Sequence, residues 1–94
     1  MKKNLLFLMV DQMHGQVLDD DNQCITPNLD KLAKSGVKFN RAHTPNPVCS
    51  PARASIMTGL LPHNHGVTTV THTVDEDQSN LRTEKEHWAQ ILKE

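Results

Sequence analysis

The feature that most constrains this chain is the apolar run Leu5-Leu6-Phe7-Leu8-Met9-Val10, which stops at Asp11. The run does not alternate with polar residues, so a strand built from it has no wet face. It reads as a strand over residues 4–10, buried on both sides as in a parallel sheet. Lys2 and Lys3 ahead of it give it a superficial likeness to a signal peptide. The run is nevertheless shorter than the ~7–15 residues of a signal core, and no small-x-small cleavage site follows. The strand reading places the protein in the cytoplasm. A sheet of this kind also demands helices on both of its faces.

The rest of the chain offers candidates for those helices. Asp11 to Cys24 is a polar stretch that reads as a loop with at most a short helical turn; its Asp19-Asp20-Asp21 lacks the Gly and closing Glu of an EF-hand and reads as a solvated turn. Thr26 is a good N-cap, Pro27 fits the first helical position, and Leu29, Leu32 and Ala33 make one apolar stripe. Gly36 is placed to close that helix in the left-handed conformation. Val37 to Ala42 alternates and predicts a strand, and Pro45 and Pro47 then enforce an extended loop. The same helix grammar returns with Ser50 as cap, Pro51 at the first position and Gly59 as stop. Residues 60–66 read as a loop and Val67 to Val74 as a weaker strand. Thr83-Glu84-Lys85-Glu86 is a capping box, opening a helix striped by Trp88, Ile91 and Leu92 that is still running at Glu94.

The order strand, helix, strand, helix, strand, helix predicts an α/β fold with a mostly parallel sheet flanked by helices. Three short helices and about two good strands do not complete it. With 94 residues, 36% of them apolar, and only Phe7, Phe39 and Trp88 aromatic, the chain has a modest core. It reads as the opening of a larger domain. Ten Lys and Arg against eleven Asp and Glu leave no basic face for nucleic acid. No apolar stretch approaches the ~18 residues of a membrane span, and two cysteines cannot make a disulfide scaffold.

The chemistry concentrates at Cys49-Ser50-Pro51-Ala52-Arg53, followed after four residues by Thr58-Gly59. Cys49 falls just before a helix start, where unpaired backbone N–H groups and the helix dipole favour an anion and make a thiol reactive. Arg53 is one helical turn further on, and its guanidinium can bind a tetrahedral oxyanion through two parallel hydrogen bonds. A buried loop thiol beside a surface arginine is the plainer reading of the same residues.

Cys-x-Pro-x-Arg, four residues, then Thr-Gly resembles the signature of the sulfatase family, within the alkaline-phosphatase-like superfamily. At about 5% per residue type, five fixed positions match by chance on the order of 10⁻⁷ per start. The likeness extends further. Leu5 to Asp11 resembles the family's first strand with its metal-binding acid, and Thr26 to Leu32 with Gly36 and Phe39 resembles the next helix and strand. Pro62, His63, His65 and Gly66 resemble the segment after the Thr-Gly. The resemblance implies that residues 1–94 are the N-terminal part of a single catalytic domain, cut in its last helix, that hydrolyses sulfate esters.

What it implies for the site is specific. Cys49 is the precursor of formylglycine, made after translation by a formylglycine-generating enzyme. Arg53 steadies the modified side chain and the transition-state charge. Asp11, Gln12 and the modified Cys49 hold a divalent metal, calcium first, with magnesium or manganese as the other choices. The family places two acidic residues where this chain has Asp11-Gln12; the amide oxygen of Gln12 can ligate calcium but brings no charge. The substrate implied is a small-molecule or saccharide sulfate ester, with neither nucleic acid nor membrane as partner. Asp11-Gln12 also suits the phosphonate monoester and phosphodiester hydrolases of the same superfamily. A third alternative, a non-catalytic binding module that merely keeps the motif, requires a self-contained core and a capped last helix. His63 and His65 read as a loop packing near the site, His14 as a possible neighbour of Asp11, Cys24 as a half-buried thiol and Trp88 as core.

Overall fold

A computed structural model describes residues 3–21, 23–70, 72, 75, 80–82, 84 and 86–93. The chain divides into two compact units, Met1–Arg41 and Ala42–Glu94. Among the described residues no helix is long and apolar enough to cross a membrane.

In the first unit the apolar run is not a strand. Residues 3–10 have no regular secondary structure, and Leu5, Leu6 and Leu8 are each at least 74% exposed. A strand exists only through the hydrogen-bond ladder of a neighbour, and no strand is found among the described residues. The alternating segment 37–42 is likewise irregular, with Val37 and Phe39 exposed. The weak strand expected over 67–74 falls in part on residues 71, 73 and 74, outside the described residues; 67–70 carry no strand. The mostly parallel sheet of the α/β reading is therefore not formed by this chain's described residues.

The polar stretch after Asp11 does hold a helical turn, a 3-10 segment Gly15–Leu18. It is opened by His14, whose Nδ1 accepts the N–H of Gln16 at 3.5 Å. Lys38 donates to the Leu18 carbonyl and lies 4.0 Å from an Asp19 carboxylate oxygen. That exposed pair adds little stability. Helix α1, Pro27–Ser35, starts with Pro27 in the first turn as expected. Thr26 occupies the cap position, but its hydroxyl donates to Asp30 Oδ1 at 2.8 Å instead of accepting a backbone N–H. Asp30 near the start and Lys34 near the end both complement the helix dipole. Gly36 closes α1 through its N–H to the Leu32 carbonyl at 2.9 Å. Its φ of −120° is not left-handed, contrary to expectation.

The second unit holds the short helices α2, Cys49–Thr58, α3, Pro62–His65, and α4, Trp88–Ile91. Helix α2 packs against both of the others. Its start lies two residues ahead of the expected one. Asn46 Oδ1 accepts the N–H of Val48 at 2.8 Å, which leads the chain into the helix. The Val48 carbonyl then accepts the N–H of Ala52 at 3.1 Å, so Val48 is the cap and Ser50 lies inside the first turn. Pro51, at the third position, still has no helical acceptor to lose, so it is tolerated there. The residues read as a loop after Gly59 include α3, which ends at Gly66 with φ 90°. Helix α4 is shorter than the one expected from the capping box. That box rests on residues 83 and 85, outside the described residues, and α4 instead begins after His87, whose N–H is accepted by Gln90 Oε1 at 3.0 Å. It is not still running at the chain's end: Leu92 closes it, with its N–H on the Trp88 carbonyl. Trp88 is half-buried in it.

Candidate functional site

Helix α2 has two working faces. At 100° per residue, Pro51, Ser55 and Thr58 fall on one side and Cys49, Arg53 and Ile56 on the opposite side. The first side is turned inward: Pro51 and Ser55 are buried and Thr58 is half-buried. The second side is open, with Cys49, Arg53 and Ile56 all exposed. Cys49 is the first residue of the helix, and its Sγ lies 3.9 Å from Ser50 Oγ. The expected pairing of a thiol at a helix start with an arginine one turn on is thus realised on one exposed stripe.

The end of α2 explains the Thr-Gly of the signature. Thr58 Oγ1 donates to the Ala54 carbonyl at 2.7 Å and accepts the N–H of Leu60 at 3.2 Å. Gly59, with φ 71°, sends its N–H back to the Ser55 carbonyl at 2.8 Å. This is the left-handed helix stop read from the sequence. These two residues terminate the helix.

Beneath the inward side lies a pair that the sequence reading missed. His65 is fully buried, and its Nε2 is 2.9 Å from Ser55 Oγ. Its Nδ1 accepts the N–H of Val67 at 3.1 Å. Burial pushes the His65 pKa down against the Pro51 carbonyl, which favours the charged form; the positive charges of Arg82 and His63 push it down further. Arg82 crosses Gly66, with its backbone N–H on the His65 carbonyl at 3.0 Å and Nη1 on the Asn64 carbonyl at 3.2 Å. His63 and His65, expected in a loop packing near the site, lie instead in α3, with His65 under the inward face of α2. The spacing Ser55 to His65 across a helix stop and a Pro-started turn was the available signal.

Asp11 and Gln12 belong to the first unit and Cys49 and Arg53 to the second. Asp11 and Gln12 are adjacent and exposed, and Gln12 has φ 56°, a left-handed backbone uncommon outside glycine. A carboxylate and an amide are both hard oxygen donors, which suits calcium or magnesium; two donors are only a part of the six to eight that calcium takes. Among the described residues, no group of three or more His, Cys, Asp and Glu could hold a metal ion. His14 is used in the 3-10 turn, and Cys24 is exposed, not half-buried.

Residues 3–94 match the Sulfatase family, and the chain belongs to it; membership implies an alkaline-phosphatase-like fold. Among relatives, it is 47% identical over 68 residues to an arylsulfatase of Clostridium perfringens, which covers 70% of this chain and 14% of the relative. It is 40% identical over 88 residues to a choline-sulfatase of Rhizobium meliloti, covering 92% of this chain and 17% of that one. A sulfatase of Formosa agariphila is 43% identical over 68 residues, covering 70% and 13%. The chain therefore spans less than a fifth of the length of these relatives. No solved structure matches it.

Proposed function

We propose that the protein containing this chain hydrolyses sulfate esters and that α2 is its nucleophile helix. The observation that carries this is the exposed stripe of Cys49 and Arg53, set at the first turn of α2 and opposite the face that anchors the helix. When the maturing enzyme has oxidised it to formylglycine, Cys49 supplies as its hydrate the hydroxyl that attacks sulfur. The ester's S–O bond breaks and the alcohol leaves with a proton. The second hydroxyl of the hydrate then expels sulfate and restores the aldehyde. Arg53 binds the equatorial sulfate oxygens in a fork and holds charge as it develops on them. The backbone N–H of Ser50, at the helix start, adds to the same positive field; Pro51 has no N–H to give.

Asp11 and Gln12 would hold a divalent cation through oxygen, together with ligands from elsewhere in the protein. The substrate is a small-molecule or saccharide sulfate ester, and the partner in maturation is a formylglycine-generating enzyme. In the whole domain residues 4–10 become a strand of a mostly parallel sheet, which is where their six apolar side chains find cover. Support comes from the family match and from relatives named as sulfatases of aryl and choline esters.

The neutral Gln12 favours a second reading, hydrolysis of phosphonate monoesters or phosphodiesters. Both ester classes present tetrahedral oxyanions. Parallel turnover of 4-nitrophenyl sulfate and 4-nitrophenyl phenylphosphonate by the full-length protein separates them.

The experiment that tests the mechanism is mass spectrometry of the peptide spanning Cys49 after coexpression with a formylglycine-generating enzyme. Conversion lowers its mass by about 18 Da. A peptide that stays at the thiol mass in protein that still turns over sulfate esters would remove the covalent step.

A further inference from the structure

The buried pair under α2 does more than fill space. His65 Nδ1 accepts the Val67 N–H, so the neutral ring carries its proton on Nε2 and donates it to Ser55 Oγ. Both ring nitrogens are therefore committed, one to each side of a junction: Ser55 on α2, Val67 just beyond α3. Neither polar group has water to fall back on, because Ser55 is 7% exposed and His65 not at all. On the same inner face the Pro51 carbonyl is a second hydrogen-bond acceptor from α2 toward the His65 ring, and Val67 is apolar. An apolar contact tolerates sliding and rotation, whereas a buried hydrogen bond is directional and costly to leave unmade.

The leverage is geometric. Ser55 sits six residues, about 9 Å of helix axis, from Cys49, and about a third of a turn round from it. A helix is stiff over this length, so a rotation permitted at Ser55 is carried to Cys49 and Arg53. We propose that the Ser55–His65 hydrogen bond is the positioning element of the nucleophile helix: it fixes the rotation of α2 on the Pro62–Val67 turn and so sets the direction in which Cys49 and Arg53 face. The geometric part stands on the buried pair alone; its consequence for turnover rests on the sulfatase reading.

The two ring nitrogens allow the tie to be cut on one side at a time. In the full-length protein, His65→Asn keeps an acceptor near Nδ1 for Val67 and withdraws from Ser55. His65→Gln keeps a donor near Nε2 for Ser55 and gives up Val67. Ser55→Ala removes the acceptor itself. The first readout is the rate of alkylation of the unmodified Cys49 thiol by iodoacetamide, followed on the Cys49 peptide so that Cys24 is counted separately. Ser55→Ala and His65→Asn shift this rate at least about threefold, and His65→Gln stays within about twofold of the parent. The second readout is kinetic: after conversion of Cys49, the same two variants lose roughly 10–100-fold in kcat on 4-nitrophenyl sulfate with KM within about threefold, because a misplaced reacting group is felt in the transition state.

A merely structural pair would lower the melting temperature of all three variants alike and leave both readouts where they were. That outcome, in variants folded by circular dichroism, overturns the proposal, as does equal behaviour of the Asn and Gln variants. Should Ser55→Ala fail to fold, the Asn–Gln contrast decides alone. Should the parent protein, with formylglycine verified by mass, turn over no sulfate ester, the sulfatase reading fails and the alkylation rates still decide whether Ser55 and His65 position the helix.

Discussion

Pro51, Ser55, His65, Gly66 and Val67 are all buried and all lie in the unit Ala42–Glu94, whereas between Lys3 and Arg41 no described residue is buried. The contrast is not one of apolar content. Leu5 to Val10 is the most apolar stretch of the chain and is exposed, with Leu6 at 81%; the buried cluster contains a serine, a histidine and a glycine. What separates the two is the sequence distance to a partner. Ser55 and His65 are ten residues apart and are brought together by a helix stop and a four-residue helix, so closing that contact costs little chain entropy. A parallel strand needs neighbours that arrive only after long crossovers.

The largest expected effect separates chemistry from anchoring within the buried unit. Cys49→Ala should lower sulfate ester hydrolysis by the full-length protein at least about 10³-fold, or roughly 4 kcal/mol of barrier. Its melting temperature should not change, because Cys49 lies on the exposed stripe. A melting temperature that falls with the activity would break the division of α2 into two faces.

Next in size is Gly66→Ala. A Cβ there would stand 2.9 Å from Arg82 Cγ and 3.3 Å from the Asn80 carbonyl oxygen, on a backbone with φ 90°. The expected loss is about 1–3 kcal/mol, read from the denaturation midpoint. A neutral outcome would mean that the 42–94 unit is not held at this turn.

The pH dependence comes third. His65 is held below its ordinary pKa, chiefly by burial. Above about pH 6.5 the ring is neutral in both folded and unfolded chains, and its contribution to stability is complete. As pH falls from there toward the lowered folded value, the unfolded chain takes up a proton that the folded one refuses. Stability then drops by up to about 1.4 kcal/mol per pH unit. Hydrogen exchange of the Val67 amide follows this window, and His65→Gln should flatten it.

The smallest effect probes the other unit. Gln12→Gly relieves a left-handed backbone at φ 56° and should stabilise by no more than about 1 kcal/mol, offset by the greater freedom of glycine when unfolded. Urea titration checks it. A destabilisation would mean that the Gln12 side chain is itself an anchor of the first unit.

Local chain punctuation was legible in the sequence, and so was the placement of Cys49 at a helix start with Arg53 one turn on. Pro27 and Gly59 were read where they act, because proline at a helix start and a left-handed glycine at its end are properties of single residues. Ser50 was misread as a cap because Asn46, a few residues earlier, takes up the entering chain and starts the helix at Cys49. The apolar run was read as a strand buried on both faces; it is irregular and exposed, because the neighbours a strand needs are not local. The Ser55–His65 pair escaped notice because two polar residues ten apart carry no periodic signal; only the turn between them makes them neighbours.

One consequence of the helix stop at Thr58 and Gly59 concerns how such signatures should be interpreted. Of the five residues that identify the motif, Cys49 and Arg53 face outward, while Pro51, Thr58 and Gly59 shape and seat the helix. A descendant that lost the thiol would keep the frame intact and go on resembling its ancestors. On the proposed sulfatase reading, resemblance to the lineage and possession of the reaction are thus carried by different side chains of one helix.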